Sequence, residues 1–201
     1  MQKAYLQQIR EIQGHTGPNM CLASCKFLAL KLLGLVDPTK HLSDFLSSRW
    51  AHRNSGLPLH GCWGGSIADH NDTFNRSVLP AAVNDPSAGV KSSSTRGIRF
   101  HKGFTHFLGQ HAKADRMLRQ LTPLIVGVSI HGGTTRDHFI VIFKDALDRF
   151  WAVDPWPGDP NEAVCELDTF QTFTRPIELH MTADAVKTRI PCGIPFFGYF
   201  E

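Results

Sequence analysis

Asp137-His138-Phe139-Ile140-Val141-Ile142-Phe143 is followed by Val153-Asp154-Pro155-Trp156, with Asp154 sixteen residues after His138. Each stretch joins a titratable side chain to an apolar, partly β-branched run. Asp145-Ala146-Leu147-Asp148 lies between them as a turn, so residues 138–143 and 149–154 read as neighbouring antiparallel strands. The histidine starts one strand and the aspartate ends the next, as a catalytic dyad would when laid on two neighbouring strands. Just upstream, Pro123-Leu124-Ile125-Val126-Gly127-Val128-Ser129-Ile130 is a near-continuous apolar run of the kind a buried strand needs. With Gly132-Gly133 as its turn, it makes the first strand of a three-stranded meander. Residues 177–181 and 190–200 are expected to add edge strands.

Towards the N-terminus, residues 22–35 carry Leu22, Cys25, Ala29, Leu32 and Leu33 at spacings that share one helical face. Gly17-Pro18-Asn19 supplies a turn and a candidate N-cap, and Gly34 followed by Asp37-Pro38 marks the end. Cys21 therefore falls in or just before the first turn. A shorter helix is expected over 41–50 and another helical stretch over 115–121. Residues 51–103, rich in Gly, Ser, Asn and Pro, read as loops with short elements. The fold class is α+β: an N-terminal helical lobe packed on an antiparallel sheet. Residues 1–201 read as a single domain, with an insertion at about 37–119.

The 201 residues are 42% hydrophobic, enough for one well-buried core. The net charge of +3 arises from 21 basic and 18 acidic residues spread along the chain, without the basic stripe of a nucleic-acid binder. No nucleic acid and no membrane are expected as partners. The N-terminal residues lack the apolar core of a signal peptide, and no apolar run approaches the ~20 residues of a membrane span. A cytoplasmic location in the producing cell is expected, with any export needing a dedicated machine. The 5 cysteines, at 21, 25, 62, 165 and 192, form neither a zinc-ribbon spacing nor an even disulfide set, and suit a reducing compartment.

A thiol attacks as thiolate, and at a free pKa of ~8.5 only a small fraction is ionised at neutral pH. A helix N-terminus and a neighbouring imidazolium both favour the thiolate. Cys21 is the candidate nucleophile and His138 the candidate base and acid. Asp154 would accept the second ring N–H of that histidine and fix its tautomer. Gln13, eight residues before Cys21, would donate a hydrogen bond to the developing oxyanion beside the Cys21 backbone N–H.

Gln13, Cys21 to Cys25 at a helix start, Leu121 to Val128, Gly132-Gly133, Asp137 to Ile142 and Val153-Asp154-Pro155-Trp156 together resemble the papain-like cysteine peptidases. The resemblance is above all to the double-glycine leader peptidases of bacteriocin exporters and their stand-alone relatives. It covers residues 13–36 and 120–157. It implies a papain-like fold, a Cys-His-Asp triad, no cofactor and no metal, and Cys21 rather than Cys25 as the nucleophile. Leu22 departs from the glycine or tryptophan usual in that family, and residues 37–119 are unmatched, so substrate preference does not carry over. A lone domain of this type resembles bacterial peptidase toxins delivered into rival cells by type VI or contact-dependent secretion. That resemblance implies a protein or peptide substrate, cut after small residues such as glycine pairs, and a cognate immunity protein occluding the cleft. A peptidoglycan amidase or endopeptidase, and acyl transfer as in transglutaminases and deamidases, would use the same triad. A non-enzymatic binding module would tolerate loss of Cys21.

Other residues carry weaker signals. Cys62-Trp63-Gly64-Gly65 is a rival nucleophile motif, but its glycines promise a loop rather than a helix. His101, His106 and His111 recur every five residues, a spacing that gathers them on neither a helix face nor a strand face. Cys25, Phe100, Phe104, Phe107, Phe196 and Phe197 read as core.

Overall fold

The structure, a computed structural model, describes residues 21–48, 50, 63, 74–91, 98–103, 116–117, 119–128, 138–147, 149–153, 164–167, 177–180, 187–190 and 197–201. Helix α1 is Cys21–Leu32, and a short α2 follows at Leu42–Leu46. A π-helical turn, Phe74–Val78, runs directly into α3 at Leu79–Val83, and a 3-10 turn covers Pro86–Ala88. The strands are β1 Phe100–Gly103, β2 Leu124–Val128, β3 His138–Lys144, β4 Phe150–Val153, β5 Val164–Leu167, β6 Ile177–His180, β7 Lys187–Ile190 and β8 Phe197–Phe200. The fold is α+β. A 6-stranded sheet has the order β1-β8-β2-β3-β4-β5, every neighbouring pair is antiparallel, and β6 and β7 pair in a sheet of their own.

The meander β2-β3-β4 is present as its patterning predicts, and β5 extends it. The C-terminal stretch behaves differently from the expectation. Phe197–Phe200 is not an edge strand but lies between β1 and β2, with Phe200 opposite Phe100 and Gly198 opposite Ile125. Ile177–His180 pairs with Lys187–Ile190 rather than with the sheet. Both partners of Phe197–Phe200, β1 and β2, are distant in sequence, and local pattern carries no information about either.

Alternation gives the sheet two buried faces. Phe100, Ile125, Val141, Phe143, Trp151, Val153 and Phe200 belong to one core cluster with α1 and α2, and Phe139 packs against it. Leu124, Val126, Ile140, Ile142, Ala152 and Tyr199 are also buried but lie outside that cluster, on the other face.

Helix α1 packs against β2, β3 and β8 on one side and against α2 on another. Every residue from Leu22 to Lys31 is buried. The apolar spacing marks a core helix, and the burial extends beyond the face that Leu22, Cys25 and Ala29 share, so no solvent face is left polar between Leu22 and Lys31. Its two lysines pay for this placement in different ways. The Lys31 Nζ donates to the Lys40 carbonyl. Lys26 is only 3% exposed, with its Nζ 4.0 Å from the centre of the Phe74 ring and 4.8 Å from that of Phe100. Those rings belong to a continuous aromatic chain, Phe27 on Phe45, Phe45 on Trp63, Trp63 on Phe74, and Phe74 on Phe100 and Phe200. The sheet comes close to it at Gly198, where a Cβ would overlap the Phe100 ring.

Two helix ends close in the same way on different residues. At the end of α1, Gly34 takes φ 73°, its N–H donates to the Lys31 carbonyl and the Leu35 N–H to the Leu30 carbonyl at 2.9 Å each. This is the Schellman closure, with buried Leu30 and Leu35 as its apolar pair. The Lys91 Nζ adds a bond to the Gly34 carbonyl at 3.0 Å. At the end of the turn of helix at 116–119, Thr122 N–H donates to the Met117 carbonyl and Leu121 takes the left-handed position at φ 61°. That residue is exposed and bulky, so the conformation is strained. Gly34→Ala should lower unfolding free energy by about 1–2 kcal/mol, while Leu121→Gly should raise it by up to about 1 kcal/mol, since strain relief outweighs added chain entropy. Urea unfolding of the two variants reads both signs.

Asp145 fixes the β3–β4 hairpin. One carboxylate oxygen accepts from the Leu147 and Arg149 N–H groups at 2.8 and 3.0 Å. The other accepts from Arg149 Nε and Trp151 Nε1, both at 3.0 Å. Burial pushes this carboxyl up, but the hydrogen bonds from Trp151, Arg149 and Leu147 outweigh it and hold it below the ordinary carboxylate range. A carboxyl lowered by folding stabilises the fold above its unfolded pKa of ~3.9, and that contribution is lost as pH falls through the lower folded value. Asp145→Ala should cost about 2–3 kcal/mol at pH 7, because it strands a buried indole N–H as well as removing the turn. The loss relative to wild type should shrink below pH 4 in denaturant titrations.

Candidate functional site

Cys21 is the first residue of α1, and its exposure is intermediate where the rest of the helix to Lys31 is buried. Of the two cysteines on this helix, Cys21 is the one with partial exposure, and it sits in the first turn, the end of a helix that carries partial positive charge. Cys25, one turn later, is fully buried, as expected of a core cysteine. The contrast makes Cys21 the member of the pair that can meet a substrate.

His138 is the first residue of β3 and stands opposite Val128, the last rung of the β2–β3 ladder. Strand β3 is one of the strands against which α1 packs. The chain thus brings the element that starts with Cys21 into contact with the element that starts with His138. Alternation sends Phe139 and Val141 toward α1 and puts His138 in the register class of Ile140 and Ile142. Val153, which precedes Asp154 in sequence, ends β4 opposite Val141. The end of β4 and the start of β3 lie at the same end of the hairpin, and Asp145 closes the opposite end. Gln13 and Asp154 themselves lie outside the described residues, as do Gly132-Gly133, Cys62, His106, His111, Phe104 and Phe107.

The rival motif around Cys62 is illuminated by its neighbour. Trp63 is fully buried, edge-on to Phe45 and Phe74 at 4.8 and 5.4 Å. Its aromatic side chain is a core component, which accounts for a tryptophan there without invoking a nucleophile beside it. His101 stacks on Tyr199, with ring centres 5.3 Å apart. Among the described residues, no group of three or more His, Cys, Asp and Glu could hold a metal ion, and no helix is long and apolar enough to cross a membrane.

Lys26 is a group that sequence reading passed over. Cation–π contact with two rings favours its charged form by about 2 kcal/mol when desolvated. Removing an ammonium from water costs several kcal/mol. Desolvation wins, and burial lowers Lys26 to about 7. The available signal was a lysine within an otherwise apolar run, Leu22-Ala23-Ser24-Cys25-Lys26-Phe27-Leu28-Ala29-Leu30.

Neither a protein-family model nor a curated protein matches the chain. The difference in burial between the two helix cysteines has a direct consequence. Brief treatment of the folded protein with iodoacetamide should alkylate Cys21 and leave Cys25 unmodified, and unfolding in urea should open both. Fragment-ion mass spectrometry of the peptide carrying the two cysteines distinguishes them.

Proposed function

We propose that the chain is a papain-like cysteine peptidase whose nucleophile is Cys21. The observation that carries this reading is the position of Cys21: a partly exposed thiol at the start of an otherwise enclosed helix, packed on the strand that His138 opens. The enclosure of α1 keeps the sulfur in one place, so a substrate carbonyl meets it without an ordering cost.

In the proposed reaction the Cys21 sulfur attacks the carbonyl carbon of a peptide bond, and the oxyanion is held by Gln13 and the Cys21 backbone N–H. His138 takes the thiol proton and passes it to the departing amine, leaving a thioester on Cys21. Water then attacks the thioester with His138 as base, releasing the acid and restoring the thiol. Asp154 holds the imidazole in the tautomer that both steps need. The substrate is a protein or peptide, and the proposed setting is a bacterial effector acting on proteins of a target cell and restrained by a cognate immunity protein. The same residues would also serve hydrolysis of cell-wall peptides or acyl transfer to an amine.

The test is incubation of wild type and single variants with a whole-cell lysate, followed by mass spectrometry of new protein N-termini. Cys21→Ala and His138→Ala should each abolish the new termini. Gln13→Ala should slow their appearance by about 10²–10³-fold. Asp154→Asn should slow it strongly too, through the wrong tautomer. New termini that persist in Cys21→Ala would overturn the proposal.

A further inference from the structure

We propose that Lys26 is a built-in pH sensor of fold stability, an amine that sits neutral on the aromatic core in alkaline solution and loosens the helix–sheet packing once it takes up a proton. Lys26 lies in the middle of α1, which packs on β2, β3, β8 and α2. It is 3% exposed, and its Nζ rests over Phe74 and Phe100, two rings of the aromatic chain that joins α1 to the sheet. A neutral amine there is an ordinary packed polar group, whereas an ammonium there has given up its hydration for two ring faces.

The surrounding charges offer no rescue among the described residues. Of the elements packed on α1, α2 carries Asp44, β3 carries His138 and Lys144, and β8 carries Tyr199. The ring-bearing segments carry Arg76 in the π-helical turn and His101 and Lys102 in β1. Asp44 and Asp37 act on Lys31, whereas burial is what lowers Lys26. The sign follows from proton counting. Between about 7 in the folded state and ~10.4 in the unfolded chain, the unfolded form holds the proton and the folded form does not. Stability therefore rises with pH across that window, and the penalty is fully present below its lower edge.

Lys26→Met removes the titrating amine and keeps the stem. Urea unfolding of the full chain from pH 6 to pH 10 should show the wild-type folding constant rising by up to about tenfold per pH unit between pH 7 and 10, over and above any rise in Lys26→Met. The variant should also be the more stable of the two at pH 6. Equal pH profiles for the two proteins would overturn the proposal. Should Lys26→Met fail to fold, the wild type decides alone through the ¹³Cε resonances of its labelled lysines. One lysine titrating near neutral pH is expected, and all of them titrating near 10 would overturn it.

Discussion

A helix buried from Leu22 to Lys31 can neither tilt nor slide without opening a cavity on one side and forcing a clash on the other, because protein interiors are close-packed. The strands β2, β3 and β8 and the helix α2 are all built against it. Its C-terminal end is pinned by the left-handed Gly34 and by the Lys31 and Lys91 amines on nearby carbonyls. Its N-terminal end is where burial stops, and Cys21 stands there. The reactive position in the proposed chemistry is thus a partly exposed residue at the start of an enclosed helix, so the thiol inherits the rigidity of the core.

The aromatic chain from Phe27 to Phe200 carries that rigidity into the sheet. It crosses from α1 through Phe45 and Trp63 to Phe74, then reaches β1 and β8 through Phe100 and Phe200. Gly198 leaves room for the Phe100 ring, and Lys26 lies on two members of the chain. A buried amine at such a point costs stability that a methionine would not, which makes it a residue whose presence calls for a role beyond packing. At the far end of the β3–β4 hairpin, Asp145 meets Arg149 and Trp151 and fixes the register that sets where β3 begins and β4 ends.

Much of the architecture was legible in the residues, and the limits have physical causes. The meander showed because β-branched runs separated by turn residues are local signals, and the end of α1 showed because glycine is the residue that closes a helix in the left-handed conformation. The interior place of Phe197–Phe200 did not show, because its partners β1 and β2 are distant in sequence. Enclosure of α1 on every side was hidden by Lys26 and Lys31, which look like a solvent face until their amines are traced to aromatic rings and a carbonyl. Leu121 in a left-handed conformation was invisible for the same reason that it is strained. Of the candidate site, Cys21 and His138 were legible as element starts, and both begin the elements expected of them. Gln13 and Asp154 rest on residue type and spacing alone.

The central claim is that His138 activates Cys21, and the most direct measurement is the second-order rate of Cys21 alkylation at pH 7 in wild type and in His138→Ala. An ordinary thiol is only a few per cent ionised at that pH, so a thiolate held by an imidazolium should react about tenfold faster than a cysteine in a flexible peptide. The account predicts that excess in the wild type and its loss in His138→Ala, with the fold of both intact by circular dichroism. Equal rates in the two proteins would contradict it, leaving Cys21 an accessible cysteine at a helix end with no partner across the sheet.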